Sequence, residues 1–373
     1  MTETHTSITA KGGNAAPHYI VIKANDYGGF GKLSVKIKVR DTYFQATCEG
    51  WGNSYINIPY DMDDNKIADK WEFDNGVAGY TAYWDDESVP TGNATVGDGI
   101  TNYEEYRGFY ELLPDGSAMH VRLNPMKKEL FVIDDDFMLS TYTWEQASGI
   151  PVYRVSENYV YGNLCGGDFV TNADYRLVNF CRGYMSGSKY AVNIIKINGI
   201  ADPYTLCGTD SAYYGCSGVG RPRDVNLTIL LPDRRRQQLA NYKTRLQQAY
   251  DADPSAPTYL DGITNAQMVR YINVLTNPRK FSMFLELNMK LATVHEVGHA
   301  CGIDHHPSIS EGITYCPMRY YTETEIFTEF LEYYTEYLNI LDADETEVII
   351  AEGRWRFCNI IDNCKRSINV NDR

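Results

Sequence analysis

Between positions 293 and 306 the chain reads TVHEVGHACGIDHH, and four of its seven histidines fall in that stretch. His295 and His299 are four residues apart. In a helix that spacing puts both imidazoles on one face, one turn apart, as two neutral rings must lie to grip one Zn2+. Glu296 stands beside the first histidine, where a carboxylate reaches a water on the metal rather than the metal. Gly302 follows three residues after His299. Glycine enters the left-handed conformation without a Cβ penalty, so it is expected to end the helix in a sharp turn. That turn delivers His305 as a third ligand. Three imidazoles leave a fourth position for water, whose pKa the metal lowers toward about 7. Glu296 is then the expected general base, and peptide hydrolysis the expected reaction. A bare His-Glu-x-x-His arises by chance in helices, but five fixed positions over eleven residues are far more specific.

These side chains need a rigid helix behind them. The segment RKFSMFLELNMKLATVHEVGHA, ending at Ala300, predicts one, with Phe284, Leu287, Leu291 and Val294 near helical spacing. Before it, TNAQMVRYINVLT predicts a second helix, and RRRQQLANYKTRLQQAYDAD, poor in apolar residues, a third that is exposed. Upstream, ELFVID, PVYRVS, YAVNIIKI and VNLTILL read as strands, and STYTWEQASG as a helix closed by Gly149. Residues 157–189 and 199–223 read as Gly-, Asn- and Cys-rich loops. A last helix is expected from Thr322, capped by Glu325 and lined by Ile326, Phe327, Phe330, Tyr334, Tyr337 and Leu338. Strand, helix, strands and then helices imply a mixed α+β domain over residues 116–373.

The extended motif resembles that of the metzincin clan of zinc metalloproteases, in which it is followed by a methionine-containing turn. YCPMRYY supplies such a turn, with Met318 thirteen residues past His305. The resemblance covers roughly 125–340, although only 295–320 is specific. It implies a twisted sheet, an active-site helix, the Met-turn and a C-terminal helix. It also implies that Met318 supports the zinc histidines without ligating. Tyr320, two residues on, matches the tyrosine that binds zinc or stabilises the oxyanion in astacin- and serralysin-like enzymes, with Tyr321 as its competitor. Archaemetzincins place a cysteine directly after the third histidine; this chain has His306 there, so no second zinc of that type is expected.

Residues 18–115 read as a β-rich region, with strand patterns in YIVIKAND, LSVKIKVRD and YINIPYD. Two acidic stretches in it resemble the Asp-rich calcium loops of secreted bacterial proteins. In DMDDNKIADKWE, Asp61, Asp63, Asn65, Asp69 and Glu72 fall at positions 1, 3, 5, 9 and 12, and Ile67 offers its carbonyl at 7. Lys66 stands where glycine is usual. In GDGITNYEEYRGF, Asp98, Asn102 and Glu105 fit positions 5, 9 and 12, but Ala94 and Val96 fall at 1 and 3. The missing ligands must come from elsewhere, with Asp85, Asp86 and Asn93 the candidates. Calcium there would be structural.

A net charge of −15 argues against a nucleic-acid partner and suits divalent cations. No apolar run is long enough to span a bilayer. Residues 1–17 read as a flexible leader without the apolar middle of a signal peptide. The nine cysteines, with Cys165, Cys181, Cys207 and Cys216 close together and Cys358 and Cys364 six apart, suit disulfides in an extracellular compartment. The expected function is therefore a secreted zinc endopeptidase acting on protein or peptide. Two alternatives stay open: a zinc hydrolase of another amide, such as a peptidoglycan peptide, and a calcium-stabilised surface binding protein that does no chemistry.

Overall fold

The computed structural model describes residues 28–47, 52–88, 96–155, 178, 189–197, 215–216, 226–230, 232–259, 262–304, 316–318 and 370. The fold is a mixed α+β arrangement. The expected strand at 19–26, the helix from Thr322, and nearly all of the loops at 157–189 and 199–223 lie outside the described residues.

The amino-terminal part is built from short pieces. β1 (Gly31–Leu33) pairs antiparallel with β4 (Ile56–Ile58), and β2 (Lys36–Val39) forms a hairpin with β3 (Thr42–Gln45). The alternation in β2 and β3 predicts one buried face, yet Ile37, Val39, Tyr43 and Phe44 are all exposed. A two-stranded ribbon has no second layer of its own to bury them. Two short helices follow, α1 (Asp69–Asn75) and α2 (Asn102–Arg107). Ile67, Tyr103 and Tyr106 form a small core between them, and Trp71 meets Tyr106 edge to face at 5.5 Å. The hairpin of β5 (Phe109–Leu112) and β6 (Ala118–Val121) leads into the main sheet.

That sheet runs β10–β11–β9–β7–β8, formed by β7 (Leu130–Ile133), β8 (Val152–Arg154), β9 (Val192–Ile197), β10 (Gly215–Cys216) and β11 (Asn226–Leu230). All neighbours are parallel except the edge strand β10. β10 falls inside the stretch read from sequence as a loop. β7 is apolar throughout because both its faces are covered. Leu130 and Val132 enter the main core, while Phe131 and Ile133 pack with Ile100, Leu123, Val155 and Ala191 on the other side. α3 (Thr141–Ser148) connects β7 to β8, capped by the Ser140 hydroxyl and ended at Gly149, whose φ is 82°.

Three helices complete the main core: α4 (Pro232–Ala252), α5 (Asn265–Thr276) and α6 (Pro278–Ala300). α4 corrects the expectation of an exposed helix. Leu239, Tyr242 and Leu246 lie three and four residues apart and are buried, a narrow stripe that suffices to seat an otherwise polar helix. α6 starts with Asn277 accepting from the Arg279 and Lys280 amides and with Pro278 in the first turn. Phe284, Leu287, Leu291 and Val294 are buried, each contributing about 1.5–3 kcal/mol. Their burial fixes the rotation of α6 and therefore where His295 and His299 project. No described helix is long and apolar enough to cross a membrane.

Candidate metal centres

His295 and His299 leave the last two turns of α6 with ring centroids 4.7 Å apart and planes crossed at 88°. His295 Nδ1 lies 2.7 Å from the Pro317 carbonyl oxygen, and His299 Nδ1 2.7 Å from that of Ile303. A carbonyl only accepts, so each Nδ1 donates and each neutral ring keeps its lone pair on Nε2. The two Nε2 atoms face each other at 3.1 Å. Lone pairs that close repel unless a proton or a metal ion lies between them. Two nitrogens bound at ~2.0–2.1 Å to one tetrahedral Zn2+ would stand about 3.3 Å apart, so the pair fits an ion of that size.

The helix end explains how His299 acquires its carbonyl. Gly302 has φ 85°, its amide donates to His299 O at 2.9 Å, and the Ile303 amide donates to Gly298 O at 3.0 Å. These two bonds make a Schellman turn with glycine in the left-handed position. Ile303 is buried by it, which brings its carbonyl under His299. Glu296 is 7% exposed, and burial pushes its carboxyl up to about 8.

Met318 is fully buried against α6. A Cβ at Gly298 would collide with Met318 Sδ and stand 3.3 Å from its Cε. The residues Pro317-Met318 thus serve twice: one carbonyl orients His295, and the next side chain packs under the helix between the two histidines. Gly298 and Pro317 were not singled out from sequence, although the glycine inside His-Glu-x-Gly-His was a visible sign of close approach. His305, Tyr320 and Tyr321 lie outside the described residues. Cys301 and Cys316 are buried thiols, and the side chains of the other seven cysteines lie outside the described residues.

A second set of oxygen donors lies in the amino-terminal part. In the first loop the Asp61 carboxylate accepts from the Asn65 and Lys66 amides at 3.2 and 2.8 Å, and Asn65 Oδ1 from the Ile67 amide at 2.7 Å. The Asp69 amide donates to Tyr60 O at 3.0 Å. Carboxylate oxygens of Asp61, Asp63 and Asp69 lie within 4.8 Å of one another, and Glu72 accepts from Asn65 Nδ2 at 2.8 Å. Burial pushes the Asp61 and Glu72 carboxyls up. Lys66 takes φ 75°, the left-handed value for which glycine is usual, so the departure in sequence leaves the backbone path intact.

The same pattern recurs in the second loop. Asp85 Oδ1 accepts from the Asp98 and Gly99 amides at 2.9 and 3.4 Å, and Asp98 Oδ1 from the Ile100 amide at 2.9 Å. The Asn102 amide donates to Trp84 O at 3.0 Å. Asp64 and Lys66 have φ 60° and 75°; Gly97 and Gly99 have 76° and 96°. Asp85 and Glu87 therefore hold positions 1 and 3, and Gly97 N donates to Glu87 O at 2.9 Å across an extra stretch, 88–96. Counting back from Asp98 in sequence put Ala94 and Val96 there. Val96 and Asp86 are exposed, and Ala94 and Asn93 lie outside the described residues. The sequence named Asp85 among the candidates but not Glu87, because the extra stretch interrupts the spacing between positions 3 and 4.

Comparison with protein-family models, with curated proteins and with solved structures finds no match to this chain.

Proposed function

We propose that the chain is a secreted zinc-dependent endopeptidase of metzincin type, with a catalytic domain over 116–373 preceded by a calcium-stabilised region. What supports it is the pair of Nε2 lone pairs 3.1 Å apart, each ring locked by a backbone carbonyl on its other nitrogen. His295, His299 and His305 would hold the ion. A zinc ion there supplies Lewis acidity, polarising a carbonyl and acidifying a water.

The chain's own residues do the rest. The carbonyls of Pro317 and Ile303 keep both rings in one tautomer and one orientation, which raises their basicity as ligands. Glu296 takes a proton from the attacking water and passes it to the leaving amine. Burial alone pushes its carboxyl up, and a divalent cation held by the neighbouring histidines would favour the ionised form that accepts the proton. Tyr320 would donate to the developing oxyanion. In the first loop, Asp61, Asp63, Asn65, Asp69, Glu72 and the Ile67 carbonyl would hold a structural calcium.

The test is digestion of a proteome-derived peptide library by the full chain, with and without a zinc chelator, beside metal analysis of His295→Ala. Chelator-sensitive cleavage and one zinc lost in the variant are expected. Release of cross-links from peptidoglycan with no cleavage of the library would move the substrate to another amide. Full zinc in His295→Ala would sink the assignment.

A further inference from the structure

Beneath the second loop, Asp85, Glu87, Asp98, Glu105 and Glu129 are buried to 3, 3, 0, 1 and 0% exposure. Carboxylate oxygens of Asp85, Glu87 and Asp98 lie within 4.8 Å of one another, and so do those of Asp98, Glu105 and Glu129. Both oxygens of Glu87 and both of Glu105 have no hydrogen-bond partner among the described residues, nor do Asn102 Oδ1 and Glu129 Oε2. Such groups do not stay charged and dry without a counter-charge.

The buried ammonium groups nearby do not supply enough of it. Lys189 Nζ donates to the carbonyls of Asp98, Glu129 and Val370 at 2.7, 2.8 and 2.8 Å, which uses its three hydrogens. It stands 3.5 Å from Asp98 Oδ2. Lys128 is also buried. Among the described residues, five buried carboxylates against these two ammonium groups leave an excess of negative charge. Burial and then neighbouring carboxylates push Glu87 up to about 9, and Glu105 and Glu129 well above the usual range.

The geometry points to a buried calcium centre built jointly by the second loop and the sheet: Asp85, Glu87, Asp98, Asn102 and Glu105 from the loop, and Glu129 from the residue before β7. Every donor is oxygen, which selects a hard cation, and the number of donors exceeds what octahedral magnesium takes from protein. Glu129 belongs to neither loop nor calcium helix; it is a ligand from outside. Its amide already donates to Asp98 Oδ2 at 2.8 Å, and the Leu123 amide to Glu105 O at 3.2 Å. Ile100, between these ligands in the loop, packs on Phe131 and Ile133 of β7. Calcium here therefore fastens the amino-terminal part to the central sheet. The centre stands independently of the zinc reading, since none of its residues lies between 293 and 318.

The experiment titrates calcium chloride into the chelator-stripped full chain at constant zinc, read by calorimetry and by melting. Asp61→Asn disables the first loop, so the calcium event left in that variant reports the second centre. Adding Glu129→Gln should weaken that event about tenfold or more, as loss of one charged ligand does, and reduce the calcium-induced rise in Tm. In EGTA the same Gln should melt close to its parent, because without the ion burial already keeps the Glu129 carboxyl protonated and the neutral amide has nearly its shape. Glu105→Gln should behave alike. The centre is overturned by an unchanged calcium midpoint in Glu129→Gln or by no calcium event in Asp61→Asn. It is also overturned if Glu129→Gln loses as much stability in EGTA as in calcium, or fails to fold, which marks a packing role alone. An equal Tm rise with magnesium would remove calcium as the ion.

Discussion

Met318 fills the space that a side chain at position 298 would need, so the turn after α6 and the helix itself meet without a gap between the two histidines. In an ordinary helix interior, Gly→Ala gains about 1 kcal/mol. Here Gly298→Ala should instead cost about 1–3 kcal/mol through overpacking, and it should lower zinc occupancy because the helix and Pro317 must separate. Met318→Leu nearly conserves volume and should cost under about 1.5 kcal/mol while zinc stays bound. Chemical denaturation and metal analysis of both variants check this; a stabilised Gly298→Ala would show that the contact yields.

Glu296→Gln keeps the shape of the side chain and removes its ability to take a proton. Zinc content and Tm should stay near wild type, and peptide cleavage should fall by about a hundredfold to ten-thousandfold. Cleavage at the wild-type rate would take the general-base role away from Glu296.

Tyr320→Phe should lower kcat by about tenfold to a thousandfold with little change in KM, as expected when a donor acts only in the transition state. Steady-state kinetics of Tyr320→Phe beside Tyr321→Phe decide between the neighbours. A wild-type Tyr320→Phe with a crippled Tyr321→Phe would move the role by one residue.

Gly97 holds φ 76°, and a Cβ there would run into the backbone and carboxylate of Asp85. Gly97→Ala should therefore cost on the order of 1–3 kcal/mol from strain at a left-handed position. It should weaken calcium binding at the second loop while sparing the first. Melting curves in EGTA and in millimolar calcium separate the two effects, and an unaltered calcium response would refute the close approach.

Much of the fold was legible because it rests on local pattern. β7 reads as a continuous apolar run since both faces are covered, and α6 announces itself by its buried stripe, although its Asn277 cap and Pro278 start were not read from sequence. α4 was half legible. Its length could be seen, but Leu239, Tyr242 and Leu246 are too few to show a core face in a segment so rich in arginine and glutamine. Leu246→Ala tests that stripe: a cost of about 2–5 kcal/mol in denaturation is expected for a buried leucine, and almost none for an exposed one. The spacing of His295 and His299 could be read because both lie within one helix. Glu129 could not, because its partners lie at Asp98 and Glu105 and only tertiary packing brings them together.

Lys189 also carries a message about the order of assembly. Its three carbonyl acceptors are 60, 91 and 181 residues away in sequence. During synthesis the acceptors at 98 and 129 emerge before the lysine, whereas Val370 follows long after it. Until then the ammonium has a place to go but lacks its third acceptor, so the carboxylate-rich interior cannot close fully around a chain still being made. Contacts this distant are slow to form, since loop closure must be completed before they stabilise anything. A nascent chain halted before residue 370 should expose this interior to solvent and protease, even with the helix bearing His295 already folded.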